Sequence, residues 1–422
     1  MKYIKKFNTL NEFNNFIFND TNTPNVSLIE ELESSENLAF ISLMPYNYAN
    51  DYLTFIPVED STFQFSKAGL SYSLDNGSTW TELAANTDTP TVPADSKILW
   101  KNNKTLSPTT YSGIGTFSSS KEFDVQGNIM SLRYGDNFVG QTIVVSEYSF
   151  AYLFSASKVK NANNLKLPAT TFENNCYKSM FSGCTSLTTA PELPATTLVN
   201  GCYDSMFSGC TSLTTAPELP ATTLKIQCYF NMFSGCTSLT TAPELPATTL
   251  IYLCYGSMFS GCTSLTTAPE LPATTLVSQC YDSMFHGCTS LTTAPELPAT
   301  TLASQCYNNM FHGCTSLTTA PELPATTLIY KCYGSMFSNC TSLTTAPELP
   351  ATTLVNQCYS SMFSGCTHLN YIKMLATDIS ESNGLGYWLE DVAVTGTFVK
   401  AEGVEIPSGK SGIPNGWTVE TV

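Results

Sequence analysis

Sixteen cysteines are the residues most able to do chemistry in this 422-residue chain, and their spacing is regular. The first of each pair falls at Cys176, Cys202, Cys228, Cys254, Cys280, Cys306, Cys332 and Cys358; the second falls eight residues later, from Cys184 to Cys366. Thiols in such numbers bridge, bind metal or fill a core. Two cysteines eight apart on one short helical stretch are too far from each other for an S–S bond. The C-x2-C knuckle that organises a tetrahedral zinc site never occurs. The reading that follows is two ladders of buried, reduced thiols acting as small hydrophobes, with no metal and no cofactor.

Carboxylates recur at the same interval, at Glu192, Glu218, Glu244, Glu270, Glu296, Glu322 and Glu348. Like charges stacked one per repeat, about 5 Å apart, need full hydration or counter-cations. The column is either a solvated acidic stripe or a surface that collects Ca²⁺ or basic groups of a partner. Of the three histidines, His286 and His312 occupy one position in adjacent repeats, in place of the serine of MFSGC. No Ser-His-Asp or Cys-His arrangement can be assembled, so no catalytic residue and no enzyme activity is expected.

The copies differ mainly just before the first cysteine, in the pair after the tyrosine, and before the glycine. Positions free to vary are expected to face solvent. On that ground Phe230, Tyr252, Tyr330, Asn308 and Asn309 are the candidate binding residues, the aromatic ones as platforms for sugar or protein ligands.

These positions are set by a repeat of 26 residues, present in eight cysteine-bearing copies with worn copies at both ends. One such unit cannot bury its apolar side alone, so neighbours must stack. In the second copy the inward set is Cys202, Tyr203, Met206, Phe207, Cys210, Leu213, Ala216, Leu219 and Leu224. The spacing around Met206-Phe207 predicts one or two turns of helix on the outer side. Leu213–Ala216 predicts a short strand in a parallel ladder, stopped by Pro217, which cannot donate to it. At about 4.8 Å per rung, nine rungs extend roughly 40 Å.

The composition sets the surroundings. With 18 Lys+Arg against 34 Asp+Glu the net charge is −16, and Arg133 is the only arginine. Such a chain lacks the basic stripe that grips phosphates, which excludes nucleic acid as a main partner. No apolar stretch is long enough to span a membrane, and the start, MKYIKKFNTLNEFNNF, has neither an export h-region nor a cleavage site. Cytoplasmic synthesis without ordinary export is the expectation.

The unit MF-x-GCTSLTTAPELPATTL resembles the BspA-type, Treponema-like leucine-rich repeat, and is similar to the MFxGCxSL surface-protein repeats of mycoplasmas and gut bacteria. The fold class expected is therefore a mixed α/β solenoid of 26-residue leucine-rich repeats with short parallel strands, spanning residues 148–380.

Three segments flank it. Residues 1–45 form a small docking or oligomerisation unit, with strands expected at Tyr3–Lys6 and Val26–Ile29. Between them a capping box at Thr9 and Glu12 starts a helix whose apolar stripe is Phe7, Leu10, Phe13 and Ile17. Residues 46–147 alternate like an all-β, sandwich-like domain. Within it Ser73-Leu-Asp75-Asn-Gly77-Ser-Thr79-Trp80 fits the Asp-box hairpin of sialidase-like propellers, but one box and one arginine do not make a sialidase. Residues 381–422 form a C-terminal cap of a short helix and two strands.

The stretches MKYIKKFNT…TPNVSLIEE and SYSLDNGSTWT…GNIMSLRYGDNF look like virion-surface proteins of Bacteroides-infecting, crAss-like tailed phages. That resemblance implies a head or tail fibre or decoration. It would dock to other virion proteins through residues 1–45, form a homo-oligomer (a trimer, as in phage fibres), and touch a host surface protein or glycan. Its place is the virion surface. The alternative is a bacterial cell-surface adhesin of BspA type, which has the same fold but needs export.

Overall fold

A computed structural model describes residues 51–103, 114–144, 146–381 and 383–422, together with the strands β1 (Ile4–Lys5), β2 (Ile29–Leu32) and β3 (Ala39–Leu43). The chain divides into two compact units, Met1–Asp51 and Tyr52–Val422. In the first, β3 is the central strand of an antiparallel sheet, pairing Leu43 with Ile4 and Ser42 with Ile29. The helix expected between β1 and β2 lies outside the described residues.

The second unit opens with a six-stranded sheet in the order β11-β10-β4-β8-β6-β7 and a two-stranded sheet β5-β9. The strands are β4 (Leu53–Pro57), β5 (Phe63–Phe65), β6 (Leu70–Ser73), β7 (Thr81–Leu83), β8 (Ile98–Asn102), β9 (Phe117–Ser119), β10 (Phe123–Asn128) and β11 (Val159–Lys166). Apolar alternation turns Phe55, Phe63, Trp100, Phe117 and Phe123 inward, with Phe55 ring centroids 4.8 Å from both Phe117 and Phe123. The Asp-box turn joins β6 to β7. Ser73 Oγ and Thr79 Oγ1 donate to the Asp75 carboxylate at 2.7 and 2.6 Å, and the Thr79 amide donates at 2.8 Å. Those bonds favour the charged form and hold Asp75 down at about 2.

This sheet has no break where the repeats begin. β10 pairs in parallel with β11, which belongs to the worn first rung, and Asn161 of β11 bridges in parallel to Thr189 of the next.

Among the described residues the repeats contain no helix. The one α-helix among the described residues, α1 (Ser131–Tyr134), precedes them. The expected helical turns are corrected to a run of linked turns whose alternate amides leave the rung. Tyr203, Ser205, Phe207 and Gly209 donate to the carbonyls of Cys228, Phe230, Met232 and Ser234 at 2.7–3.1 Å. Between them Asp204, Met206, Ser208 and Cys210 donate three residues back, at 3.0–3.2 Å. A helix would spend every amide within its own turn. Here half of them bind the neighbouring rung, and every fourth residue takes a left-handed φ: Gly201 +59°, Ser205 +55°, Gly209 +74°.

The strand expected at Leu213–Ala216 shrinks to one bridging residue. Thr215, Thr241, Thr267, Thr293 and Thr319 bridge in parallel, each to the next. The two prolines of APELP lack amide hydrogens and stop the ladder. Where those prolines are lost, strands lengthen. β11 has Leu165 at the position of Pro191 and runs for eight residues. Past the last cysteine, β12 (Tyr371–Met374), β13 (Thr397–Lys400) and β14 (Thr418–Thr421) form a parallel sheet. The short helix expected in the C-terminal segment is another rung turn, in which Phe363 donates to the Trp388 carbonyl at 2.9 Å.

Inside, like side chains form columns. Successive tyrosines from Tyr177 to Tyr359 stack with centroids 5.8–6.0 Å apart. Successive phenylalanines from Phe181 to Phe363 stack at 5.6–5.7 Å. The inward set expected for the second copy is buried, except that Ala216 is half-buried and Ala221 joins it.

The tyrosine column carries a cost. Tyr177, Tyr255 and Tyr333 have buried hydroxyls with no hydrogen-bond partner among the described residues. Tyr255→Phe removes such an orphan without opening a void. Stability in urea should hold or rise, by up to about 1–3 kcal/mol. A loss above about 1 kcal/mol would show that the hydroxyl makes a bond of value.

Candidate functional site

The thiols come first, because they would be the reactive groups if any were reachable. All sixteen are free and buried. The second cysteine of each copy donates its S–H across the core, as Cys210 does to the Phe181 carbonyl and Cys236 to that of Phe207, both at 3.1 Å. Burial disfavours the thiolate and pushes Cys202, Cys236 and Cys306 up to about 12. A nucleophile or metal ligand needs the opposite environment. No thiol should react with Ellman's reagent in the native protein, whereas sixteen equivalents should react in denaturant. Fast native labelling of even one would place that sulfur at the surface.

The glutamate column is exposed along its length. Shallow clefts open between successive PELP loops. One of 340 Å³ is lined by Ala242–Pro246 with Pro269, Glu270 and Pro272, and one of 480 Å³ by the matching residues around Glu192 and Glu218. Among the described residues, Glu348 alone in the column makes an ion pair, with Lys373 at 2.8 Å. His286 and His312 are half-buried, with ring centroids 4.7 Å apart. Burial, then the neighbouring imidazole, lowers His312. Among the described residues no group of three or more His, Cys, Asp or Glu is placed to hold a metal ion.

The five candidate binding residues separate. Tyr252 and Tyr330 stand out from the surface, 43% and 45% exposed. Each directly precedes a left-handed residue, Leu253 (φ +54°) and Lys331 (φ +54°), which turns the chain into the next rung. Tyr330 Oη donates to Gln357 Oε1 at 3.4 Å. Ile226, at the same repeat position as Tyr252, is 41% exposed, and Ile329 37%. Ile226 was not among the candidates, although its place in the varying triplet is the signal that would have found it.

The other three lie differently. Phe230 is half-buried, its ring over Gly256 of the next rung. Asn309 is half-buried at φ +53°. Asn308 corrects the expectation of exposure: it is 4% exposed and donates Nδ2 to Asp282 Oδ1 at 2.9 Å. Variation does not imply solvent at this position, because the side chain is matched to its neighbour. What remains accessible is an edge carrying Ile226, Tyr252, Ile329 and Tyr330, suited to non-covalent contact through apolar and aromatic faces.

No curated protein matches the chain. A leucine-rich repeat protein from Eubacterium ventriosum ATCC 27560, known from a crystal structure, aligns at 14% identity over 60% of this chain and 80% of that one, with a TM-score of 0.29. The profile of the BspA type leucine rich repeat region matches residues 145–292 and 255–383. The match spans the cysteine, tyrosine and leucine columns described above and more than half of the 422 residues, and the chain belongs to the BspA type leucine-rich repeat family.

Proposed function

We propose that this protein is a non-enzymatic attachment protein on the virion surface of a Bacteroides-infecting tailed phage, a head or tail fibre or decoration. Its repeats form a solenoid that presents a face to a host surface protein or glycan. The observation that carries the binding role is the edge in front of the first cysteines. There, large side chains are exposed on rungs whose other residues are nearly identical, with Tyr252 and Tyr330 the most prominent. Aromatic rings held by a rigid backbone lose little freedom on binding. Membership in a repeat family of surface and binding proteins supports the same role. The virion assignment rests on the likeness of the N-terminal and Asp-box stretches to phage proteins, with residues 1–45 as the docking segment and a trimer as the assembly.

A second reading, a cell-surface adhesin of the bacterium itself, is favoured by the repeat family. Proteomics of purified particles and of host envelopes separates the two: the chain should be in particles, and its presence in envelopes alone overturns the virion assignment. Binding of the purified protein to host cells tests the face. Tyr252→Ala with Tyr330→Ala should weaken it at least about tenfold, and unchanged binding would move the site elsewhere. Light scattering on the intact chain checks the trimer.

A further inference from the structure

Stacking identical units poses a problem of order. Seven copies share CTSLTTAPELPATTL without a change, so a slip of 26 residues realigns every cysteine, leucine and threonine column on its equivalent. The shared frame carries no information about which rung follows which.

The residue after the tyrosine does differ, and it differs in pairs. In the first and second copies Lys178 Nζ meets Asp204 Oδ2 at 2.5 Å, with the carboxylate side chain only 6% exposed. In the third and fourth, Phe230 overlies Gly256. A Cβ on Gly256 would lie 3.0 Å from the Phe230 ring and 2.9 Å from Leu253 Cδ2. In the fifth and sixth, Asn308 Nδ2 donates to Asp282 Oδ1 at 2.9 Å. Between the sixth and seventh the fit is steric: a Cβ on Gly334 would lie 3.0 Å from Asn308 Oδ1, a buried atom with no hydrogen-bond partner among the described residues. An independent column repeats the device: Asn339 stands where the other copies have glycine, and its amide fills the space that a side chain at Gly365 would need.

Slipped pairings break these fits. With the second copy skipped, Lys178 faces Phe230 and loses its anion. With the third skipped, Asp204 keeps Lys178, but the gap at Gly256 loses the Phe230 ring that fills it. With the fourth skipped, Phe230 meets Asp282 where it needs a glycine. Each error strands a half-buried charge, empties the gap that a ring fills, or closes the gap that a ring requires.

We infer that this column is a rung-matching code: its residues are chosen by the adjacent rung, and they fix the order and register of otherwise interchangeable units. The column is therefore not part of the ligand-binding face, and the inference does not depend on the function proposed above.

Two double-mutant cycles in the full-length protein test it, read by thermal unfolding and by hydrogen exchange of the affected rungs. Lys178→Asp and Asp204→Lys should each lower the midpoint by several degrees, and the charge-swapped double variant should recover most of the loss. Gly256→Ala should do the same and lose most of its penalty when combined with Phe230→Ala. If the swap does not fold, the glycine cycle, which introduces no charge, decides alone. Additive effects in the glycine cycle, or a column whose substitutions leave both readouts unchanged, would overturn the code.

Discussion

Phe259→Ala should destabilise the array by about 3–5 kcal/mol, the range for deleting a buried aromatic ring that its surroundings cannot replace. Phe259 has no exposed surface and is stacked between Phe233 and Phe285, each with its centroid 5.7 Å away and its plane within 6°. Collapse into the void is opposed because the backbone is tied to the next rung through both its amide and its carbonyl. The Phe259 amide donates to the Met284 carbonyl at 2.9 Å, and its carbonyl accepts the Cys288 thiol at 3.1 Å. Urea unfolding gives the loss. Hydrogen exchange should show it spreading to the rungs on either side, since stability in such arrays is shared between neighbours. A loss below about 1 kcal/mol would mean that the aromatic column does not carry the stacking.

Gly261→Val should cost about 2–4 kcal/mol, from a backbone penalty and a packing penalty together. Gly261 has φ +74°, a conformation a β-branched residue tolerates poorly. A Cβ there would already be in van der Waals contact, 3.6 Å from the Gly235 Cα and amide nitrogen of the preceding rung, and valine adds two methyl groups beyond it. The amide donates to the His286 carbonyl at 2.7 Å, so the segment cannot move aside without breaking an inter-rung bond. Gly261→Asn is the control. Asn339 occupies this position in the seventh copy at φ +61°, and the next rung offers Gly287 as Gly365 does for Asn339. Asparagine should therefore lose much less than valine. Equal losses in a thermal or urea titration would show that volume alone, not the left-handed backbone, sets the requirement.

The same rung shows why part of the fold was readable and part was not. Cys202, Met206 and Cys210 recur at intervals of four, which fits one face of a helix. A run of turns with a left-handed residue every fourth place has the same period, so periodicity alone does not separate them. The choice is made by the alternate amides, which find carbonyls 25 residues on rather than within the turn. Ser205 and Ser257 carry no local signal for positive φ, and Leu253 carries even less. Their conformation is held by bonds to the next rung. The exposure of Asn308 was misread for a related reason. Variation was equated with solvent, but at that column it records a fit to Asp282 and Gly334.

From the order of residues alone came the 26-residue period, the inward set of thiols, aromatics and leucines, the Asp-box hairpin and the limit that proline places on the strands. Each is a property of one unit: which side chains shun water, which residues lack an amide hydrogen, which turn an Asp-Asn-Gly run can form. Helix against turn, left-handed φ at residues other than glycine, and the split of the varying positions into an exposed edge and a buried matching column were decided only when the units were stacked. Those features rest on donors, acceptors and gaps supplied by the next rung, and a 26-residue unit does not contain its own partner.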